Sequence, residues 1–336
     1  MLFSSENIAE YEIQTTDPHG WRHVMEAEAE TANTICQEAL KAFGLWEPLY
    51  RIFGKLYQWF GEVYIDEIDG WAAATGQSFG RLAMVNCSYE FSHLAELPFV
   101  RTYITGCTAG LVRGRDGVPV HVRTLDWPNQ AMGLATRIFR LQMAHHRCVL
   151  VSFPGMVGAL SGMVPGAYSV TIDWAPPTQF PRFDFGPLFL LRQVLETCPT
   201  YESARARLSE ERLSSSVFFT LCGVREGCII ERTHSAAAVR ELQNEPLTQS
   251  NHFVSPEFQH YNEAVLRGTK DRLLQTTCQR LETLRDELRP LCDSDVGDLS
   301  ALRRVLAKVP VTNEDTVQRM VFCPANGSML VERRIT

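Results

Sequence analysis

The sequence lacks the patterns that identify several large classes of protein. No uninterrupted apolar stretch approaches the ~18 residues that a membrane-spanning helix needs. Its histidines and cysteines form no HExxH or paired-cysteine spacing, so we assign no metal site. A GxGxxG fingerprint and a GxSxG elbow are also absent, which argues against a dinucleotide cofactor and against the common serine hydrolases. We therefore expect a protein without a cofactor.

The net charge and the distribution of cysteines indicate which partners and which cellular compartment to expect. The net charge of -7 argues against nucleic acid as a partner, because phosphate binding requires a basic surface. The 10 cysteines are scattered without a repeating spacing, which favours reduced thiols. The N-terminus lacks the basic, apolar and small-residue order of a secretory signal. We expect a cytosolic protein, and a lysosomal or secreted one only if the sequence is trimmed at its start.

Helical and extended patterns follow each other in blocks along the 336 residues. An irregular arm is expected over 1–20. Helices are predicted at about 21–44, 45–60, 70–94, 187–198, 201–208, 263–288 and 299–306. Strands are predicted at about 136–143, 148–153, 167–172, 215–221, 228–233, 317–322 and 329–333. This order predicts an α+β fold in which two sheets are covered by helices.

One predicted helix carries a stripe of aromatic residues. Trp46, Tyr50, Phe53, Tyr57 and Phe60 recur at helical spacing and therefore share one face. Such a stripe either contacts a membrane surface or packs on the body of the protein. We favour packing, because stripes of this kind are usually buried.

A β-hairpin around Cys107 organises the candidate chemistry. The apolar run Cys107–Val112 leads to the turn Arg115-Asp116-Gly117, and an alternating strand returns from Val118. Antiparallel pairing about this turn brings Arg123 and Asp126 back towards the start of the first strand. The sequence thus predicts a thiol, a guanidinium and a carboxylate together, beside the Gly106–Cys107 bond.

The spacing of these residues resembles that of the acid ceramidase and N-acylethanolamine acid amidase group of N-terminal-nucleophile hydrolases. Members of the group carry a cysteine, then an arginine and an aspartate at the intervals that separate Cys107, Arg123 and Asp126 here. Three further blocks resemble the group: 82–91, 152–173 and 248–253. A loop of about a dozen residues is inserted between the first block and Cys107. The resemblance runs from about residue 80 to the end of the chain.

The resemblance implies a fold and a processing event. The fold is a four-layer αββα sandwich with an N-terminal helical segment. Cleavage at Gly106–Cys107 would divide the chain into a pro-segment, 1–106, and a catalytic part, 107–336. The freed α-amino group of Cys107, whose ordinary pKa is about 7.7–8, would then serve as the base for its own thiol.

The resemblance also assigns roles to other residues. Arg123 and Asp126 would flank the nucleophile. Asn251 and the backbone N–H of Trp174 would stabilise the oxyanion of the tetrahedral intermediate. A further family arginine falls at Arg272 or Arg267, of which we favour Arg272. Substrate contact is expected at Asp173 and at Trp127. At Asp173 the chain has Asp173-Trp174-Ala175 in place of the Asn-Glu-Arg of acid ceramidase.

We interpret the sequence as that of a self-processing cysteine amidase that hydrolyses linear amides through a thioester. Its partner would be a small-molecule N-acyl amide, with a fatty-acyl chain, of the ceramide or N-acylethanolamine type. Two alternatives stay open. One is an acyltransferase of the isopenicillin N or acyl-CoA type, which would share every site residue. The other is a non-catalytic lipid-binding relative.

Overall fold

Two β-sheets packed face to face form the centre of the computed structural model, which describes residues 1–44, 47–60, 63–93, 106–182, 184–267, 269, 271–294 and 299–336. The first sheet has the order β1-β14-β13-β4-β3-β12, and the second has the order β11-β10-β9-β8-β7-β6-β5-β2. The strands are β1 Phe3–Ser4, β2 Glu10–Gln14, β3 Gly106–Arg113, β4 Pro119–Asp126, β5 Arg137–Gln142, β6 Arg147–Ser152, β7 Ser161–Val164, β8 Tyr168–Trp174, β9 Val217–Gly223, β10 Gly227–Arg232, β11 Ala237–Glu241, β12 Leu247–Gln249, β13 Thr316–Cys323 and β14 Ser328–Arg334.

Helices cover the outer faces of both sheets. They are α1 Arg22–Phe43, α2 Glu47–Phe60, α3 Ile65–Thr75, α4 Phe79–Asn86, α5 Ser88–Ser92, α6 Pro187–Thr197, α7 Tyr201–Glu210, α8 Asn262–Leu266, α9 Arg272–Gln275, α10 Thr277–Leu288 and α11 Leu299–Leu306. Helices α10 and α11 pack on the first sheet, and α6 and α7 pack on the second. The predicted α+β fold with four αββα layers is therefore confirmed.

The strand at Cys107 belongs to the hairpin that the sequence predicts. Strands β3 and β4 pair antiparallel along their whole length, with Gly106 opposite Asp126 and Arg113 opposite Pro119. Gly117 closes the turn at φ 78°, a left-handed conformation that glycine adopts without strain. The hairpin lies between β13 and β12 in its sheet, so both of its outer edges are paired.

The N-terminal arm is not irregular, which corrects the prediction for 1–20. Strand β1 pairs with β14 at the edge of the first sheet, and β2 pairs parallel with β5 at the edge of the second. The first 106 residues thus supply a strand to each sheet as well as the helices α1 to α5. Their division from 107–336 as a pro-segment stays a prediction.

Helix α1 forms as predicted and ends at Gly44, which is left-handed at φ 56°. The apolar pattern of this segment predicts a buried row of Val24, Ala27, Thr31, Ile35 and Ala39, whereas the row that is buried is Val24, Glu28, Ala32 and Cys36. The sequence pattern missed this row because it contains a charged residue, Glu28. Glu28 can be buried because its carboxylate pairs with the Arg137 guanidinium at 2.5 Å.

The aromatic stripe of α2 faces the protein. Tyr50 is buried, and Phe53 and Tyr57 pack against neighbouring rings, so these three residues pack on the body of the protein, which is the interpretation favoured from the sequence. Trp46 and the side chain of Phe60 lie outside the described residues. The opposite face of the helix is the exposed one, and its apolar residues are Leu49, Ile52, Leu56 and Trp59.

Two predicted helices are broken into shorter ones. The segment 70–94 contains the end of α3, then α4 and α5, and Gly76, left-handed at φ 67°, separates α3 from α4. The segment 263–288 contains α9 and α10 after α8, because the Asp271 side chain accepts the N–H of Leu274 and starts a new helix. The short strands β7, β11 and β12 were also missed.

Candidate functional site

The alternation of β3 and β4 divides the site between two faces of the first sheet. Successive side chains of a strand point to opposite faces. Cys107 and Arg123 point inward to the second sheet, where the Arg123 guanidinium meets Ile172. Thr108 and Asp126 point outward to α10, where both contact Arg280. The predicted carboxylate and guanidinium therefore flank the cysteine from opposite sides.

On the inner face, Arg123 holds the thiol. Its Nη2 donates to Cys107 Sγ at 3.2 Å and to the Ile172 carbonyl at 2.8 Å, and its Nη1 donates to Ser161 Oγ at 2.6 Å. Burial nevertheless raises the pKa of the Cys107 thiol to about 12, although Arg123 acts to lower it. In the uncleaved chain the thiol is therefore protonated at neutral pH.

A second carboxylate, Asp173, completes the inner face. Its Oδ1 lies 3.7 Å from Arg123 Nε, and both side chains are fully buried. Among the residues that the structure describes, neither carboxylate oxygen of Asp173 has a hydrogen-bond partner. Burial raises the pKa of Asp173 to about 6, and Arg123 opposes that shift. This residue was expected to contact substrate, and the structure places it beside the thiol.

On the outer face, the backbone of Cys107 is held at both of its polar atoms. Its N–H donates to Asn251 Oδ1 at 3.0 Å. Its carbonyl accepts from Arg280 Nη1 at 2.7 Å and from Ser250 Oγ at 3.1 Å. Arg280 Nη2 also donates to Asn251 Oδ1 at 2.8 Å, so one guanidinium ties the strand to the loop of Asn251. The Gly106–Cys107 bond is thereby fixed in place.

Asp126 belongs to this outer network. Its Oδ1 accepts from Thr316 Oγ1 at 2.6 Å, and its Oδ2 accepts from Arg280 Nη1 at 3.3 Å. Burial raises the pKa of the Asp126 carboxyl group, and Arg280 opposes the shift. The amide nitrogen of Cys107 is held by Asn251, whereas Asp126 is linked to Cys107 through Arg280.

Arg280 replaces Arg272, which corrects the sequence prediction. The Arg272 guanidinium is about half exposed and pairs with Glu314 and Asp315 at the surface. Arg280 is fully buried and contacts Cys107, Asp126 and Asn251. The signal that could have found it is its position on the apolar face of α10, whose buried residues are Thr277, Arg280, Leu281, Leu284 and Leu288.

The remaining predicted residues surround this centre. The Trp174 carbonyl accepts from Asn251 Nδ2 at 2.8 Å, so the two residues expected to stabilise the oxyanion are in contact. Their role stays a prediction. Trp127 directly follows Asp126 and packs edge-on against Phe153, and its contact with substrate is also a prediction. A Cβ on Gly106 would lie 2.9 Å from Leu273 Cδ1, so the residue before the nucleophile is closely packed.

Helix α5 of the N-terminal segment covers the end of β8. Ser92 Oγ accepts from the Trp174 indole at 2.9 Å. His93 Nε2 lies 3.0 Å from the Ala175 carbonyl oxygen, and its ring packs edge-on against Trp174. Tyr89 donates to the Ser216 carbonyl at 3.0 Å. These contacts bring the segment before the predicted cleavage point to the edge of the site.

The cysteines are free thiols, most of them buried. Cys222 and Cys228 lie on the paired strands β9 and β10 and do not form a disulfide. Within the described ranges, no three histidine, cysteine, aspartate or glutamate side chains are grouped to hold a metal ion. No helix in those ranges is long and apolar enough to cross a membrane.

Known proteins share this fold and parts of this sequence. Residues 179–327 match the family described as acyl-coenzyme A:6-aminopenicillanic acid acyl-transferase. The chain is 25% identical over 339 residues to the N-acylethanolamine-hydrolyzing acid amidase of Caenorhabditis elegans, covering 94% of this chain and 88% of that protein. It is 23% identical over 250 residues to the acid ceramidase of Balaenoptera acutorostrata scammoni, covering 63% of this chain and 60% of that protein.

A solved structure gives the same picture. The structure of the Caenorhabditis elegans acid amidase ortholog superposes with a TM-score of 0.54 at 24% identity, covering 65% of this chain and 93% of that chain. The chain therefore has the same fold as this acid amidase. The resemblance predicted from the sequence is confirmed, since the chain is similar to N-acylethanolamine-hydrolyzing acid amidase and to acid ceramidase.

Proposed function

We propose that this protein is a self-processing cysteine amidase that hydrolyses the linear amide bond of N-acyl substrates. The observation that carries the proposal is the arrangement at Cys107. Its thiol accepts a hydrogen bond from Arg123, and its backbone is fixed by Asn251 and Arg280. The similarity to an acid amidase and to acid ceramidases favours a fatty-acyl chain on the substrate.

The proposed mechanism begins after the Gly106–Cys107 bond is cut. The α-amino group of Cys107 then takes the proton of its own thiol, and Asn251 Oδ1, which now accepts from the amide N–H, orients that amine. The thiolate attacks the substrate carbonyl, and the amine half leaves with a proton. Arg123 stabilises negative charge on sulfur. Water then hydrolyses the thioester and restores the thiol.

The first experiment is the intact mass of the purified protein beside its Cys107→Ala variant. We expect two fragments that break at Gly106–Cys107, and a single chain in the variant. Cys278→Ala is the matched control, because Cys278 is an exposed thiol whose Sγ lies 3.9 Å from His252 Nε2. Equal cleavage in all three proteins, or none in the parent at any pH, would contradict self-processing.

Hydrolysis is tested on the processed protein. Release of fatty acid from N-palmitoylethanolamine and from N-palmitoylsphingosine should depend on Cys107 and be indifferent to Cys278. Quenching with acid should trap an acyl group on the fragment that starts at Cys107. Saturable binding of these lipids without any release would instead support the non-catalytic alternative.

Acyl transfer is the second candidate function. The match of 179–327 to an acyl-transferase family favours it, although this region excludes the nucleophile. Hydrolysis and transfer share a thioester and differ in what attacks it. Adding a primary amine or an acyl-coenzyme A to the assay and following the acyl product separates them. A new amide formed in preference to free acid would identify a transferase.

We also propose that a membrane-surface contact, if the substrate is lipid-borne, uses the exposed face of α2. Leu56 and Trp59 are 39% and 79% exposed on that face, and Arg51 and Lys55 lie exposed on the same helix. This combination suits an anionic interface. Co-sedimentation with phosphatidylserine vesicles should fall severalfold in a Leu56→Glu variant. A Tyr57→Phe variant, altered on the inner face, serves as the control.

A further inference from the structure

The uncleaved chain poses a chemical problem that the mature enzyme does not have. Self-cleavage needs the Cys107 thiol to lose its proton, yet the nitrogen of Cys107 is still an amide and cannot act as a base. Burial raises the pKa of this thiol to about 12, so solvent hydroxide is a poor substitute near neutral pH. A protein group beside the sulfur must take the proton.

Two carboxylates lie near the sulfur, and their hydrogen bonding differs. Both oxygens of Asp126 are engaged, by Thr316 Oγ1 at 2.6 Å and by Arg280 Nη1 at 3.3 Å. Asp173 has no hydrogen-bond partner on either oxygen within the described part of the chain. The groups that act on this buried carboxylate are the Arg123 guanidinium, at 3.7 Å, and the Cys107 side chain. A buried carboxylate without a close hydrogen bond is uncommon, so its position beside the thiol calls for a functional explanation.

The position of Asp173 also favours it. It follows Ile172, whose carbonyl oxygen lies 3.8 Å from Cys107 Sγ, and it shares the Arg123 guanidinium with that sulfur. Asp126 lies on the opposite face of the sheet, towards α10. Of the two carboxylates, Asp173 has the stronger electrostatic effect on the thiol.

We propose that Asp173 is the general base for self-cleavage of the Gly106–Cys107 bond. Its carboxylate takes the thiol proton as Sγ bonds to the Gly106 carbonyl carbon. The C–N bond then breaks, and the carboxyl group returns the proton to the Cys107 nitrogen, which becomes the α-amine. Water hydrolyses the resulting thioester, giving a Gly106 carboxylate and the free thiol. The inference rests on the proposed self-processing.

The charged and titratable groups around Asp173 come from four elements. They are Cys107 on β3, Arg123 on β4, Tyr89 on α5 and Arg280 on α10. Burial raises the pKa of Asp173 to about 6, against the opposing effect of Arg123. The base is thus unprotonated above that pH, and the cleavage rate should rise as the pH rises through about 6 and then level off.

The test is a pulse-labelled cell-free synthesis of the full chain, chased at set pH values between 4 and 8. The uncut fraction is measured by gel and intact mass. Asp173→Asn should slow cleavage at least ~100-fold and remove the rise near pH 6, since a general base contributes about 10²–10⁴-fold. Asp173→Glu, which keeps a carboxylate, should restore part of the rate.

The outcomes separate this inference from the proposed function. Cleavage of Asp173→Asn within about twofold of the parent, or a parent rate that does not change with pH, would overturn the role of Asp173. No cleavage in the parent would instead count against self-processing itself. Circular dichroism checks the fold of the variant, and the parent's pH profile decides the question if the variant fails to fold.

Discussion

The surroundings of Cys107 differ between the two faces of the first sheet. On the outer face, Arg280 binds the carbonyl of Cys107, and Arg280 and Thr316 bind the two oxygens of Asp126. On the inner face, the thiol lies beside Arg123 and Asp173, and the Asp173 carboxylate faces Arg123 Nε at 3.7 Å. The comparison teaches that one face fixes the Gly106–Cys107 bond, whereas the other places charged groups around the thiol, as the proposed proton transfer requires.

The strand geometry explains how one hairpin contributes residues to both faces of the sheet. Residues 123 and 126 are three positions apart, so they must point to opposite faces. From their spacing alone, Arg123 and Asp126 are expected to lie together beside Cys107. The pleat separates them, and the partners that each then meets come from different parts of the chain, β8 for Arg123 and α10 for Asp126.

The largest expected effect is on stability, through Arg280. Replacing it with Met removes the partner of a fully buried Asp126, and breaking a buried pair in this way costs roughly 3–5 kcal/mol. Urea unfolding, with the Cys107→Ala change to keep the chain whole, measures the loss. The matched control is Arg272→Met, whose half-exposed pairs are worth about 0–1 kcal/mol. Equal losses would contradict the assignment.

On the inner face, Arg123→Lys should cost activity more than stability. A lysine keeps a positive charge beside Asp173 but cannot donate to Cys107 Sγ and Ser161 Oγ together. We expect self-cleavage and amide hydrolysis to fall roughly 100-fold, as for removal of one aligned donor. Rates come from intact mass and fatty-acid release. If the free energy of unfolding fell by more than the activation free energy rose, the inner face would be shown to act on stability, as the outer face does.

The inner face should also make stability depend on pH. Burial raises the pKa of Asp173 to about 6, above its value in the unfolded chain, so the group favours folding when protonated. Its contribution is fully present below about pH 4 and is lost as the pH rises through about 6.

Asp173→Asn in the Cys107→Ala background should therefore be more stable than its parent above pH 6, by on the order of 2 kcal/mol, and equal to it near pH 4. Glu67 and Glu90, whose pKa values burial raises to about 7, contribute to both curves and cancel in the difference. If the unfolding free energies of the variant and its parent, measured in urea, ran parallel across this pH range, Asp173 would be shown to stay charged.

Much of this site could be predicted from the sequence because its residues are close along the chain. Cys107, Arg123 and Asp126 sit on one hairpin, and a hairpin is encoded by local alternation and a turn. Asn251 was found through a short block that resembles known relatives. The layers of the fold followed from the order of helical and extended segments.

The rest depends on long-range contacts that no local pattern contains. Arg280 was missed because a charged residue within an amphipathic helix is ordinarily assigned to the solvent face. Glu28 was missed in α1 for the same reason, since its partner Arg137 lies far along the chain. The arm 1–20 became strands because β14 and β5 offered it open sheet edges.

The finest test of the comparison removes one hydroxyl from each face. Ser161→Ala takes an acceptor from Arg123, and Thr316→Val takes a donor from Asp126. Each should lower the free energy of unfolding by about 1.5–3 kcal/mol, since each loses one hydrogen bond to a charged group. Only Ser161→Ala should also slow self-cleavage, by a few fold, because Arg123 is then less firmly aimed at the sulfur. If Thr316→Val slowed cleavage equally, the outer network would take part in the chemistry as well as in fixing the bond.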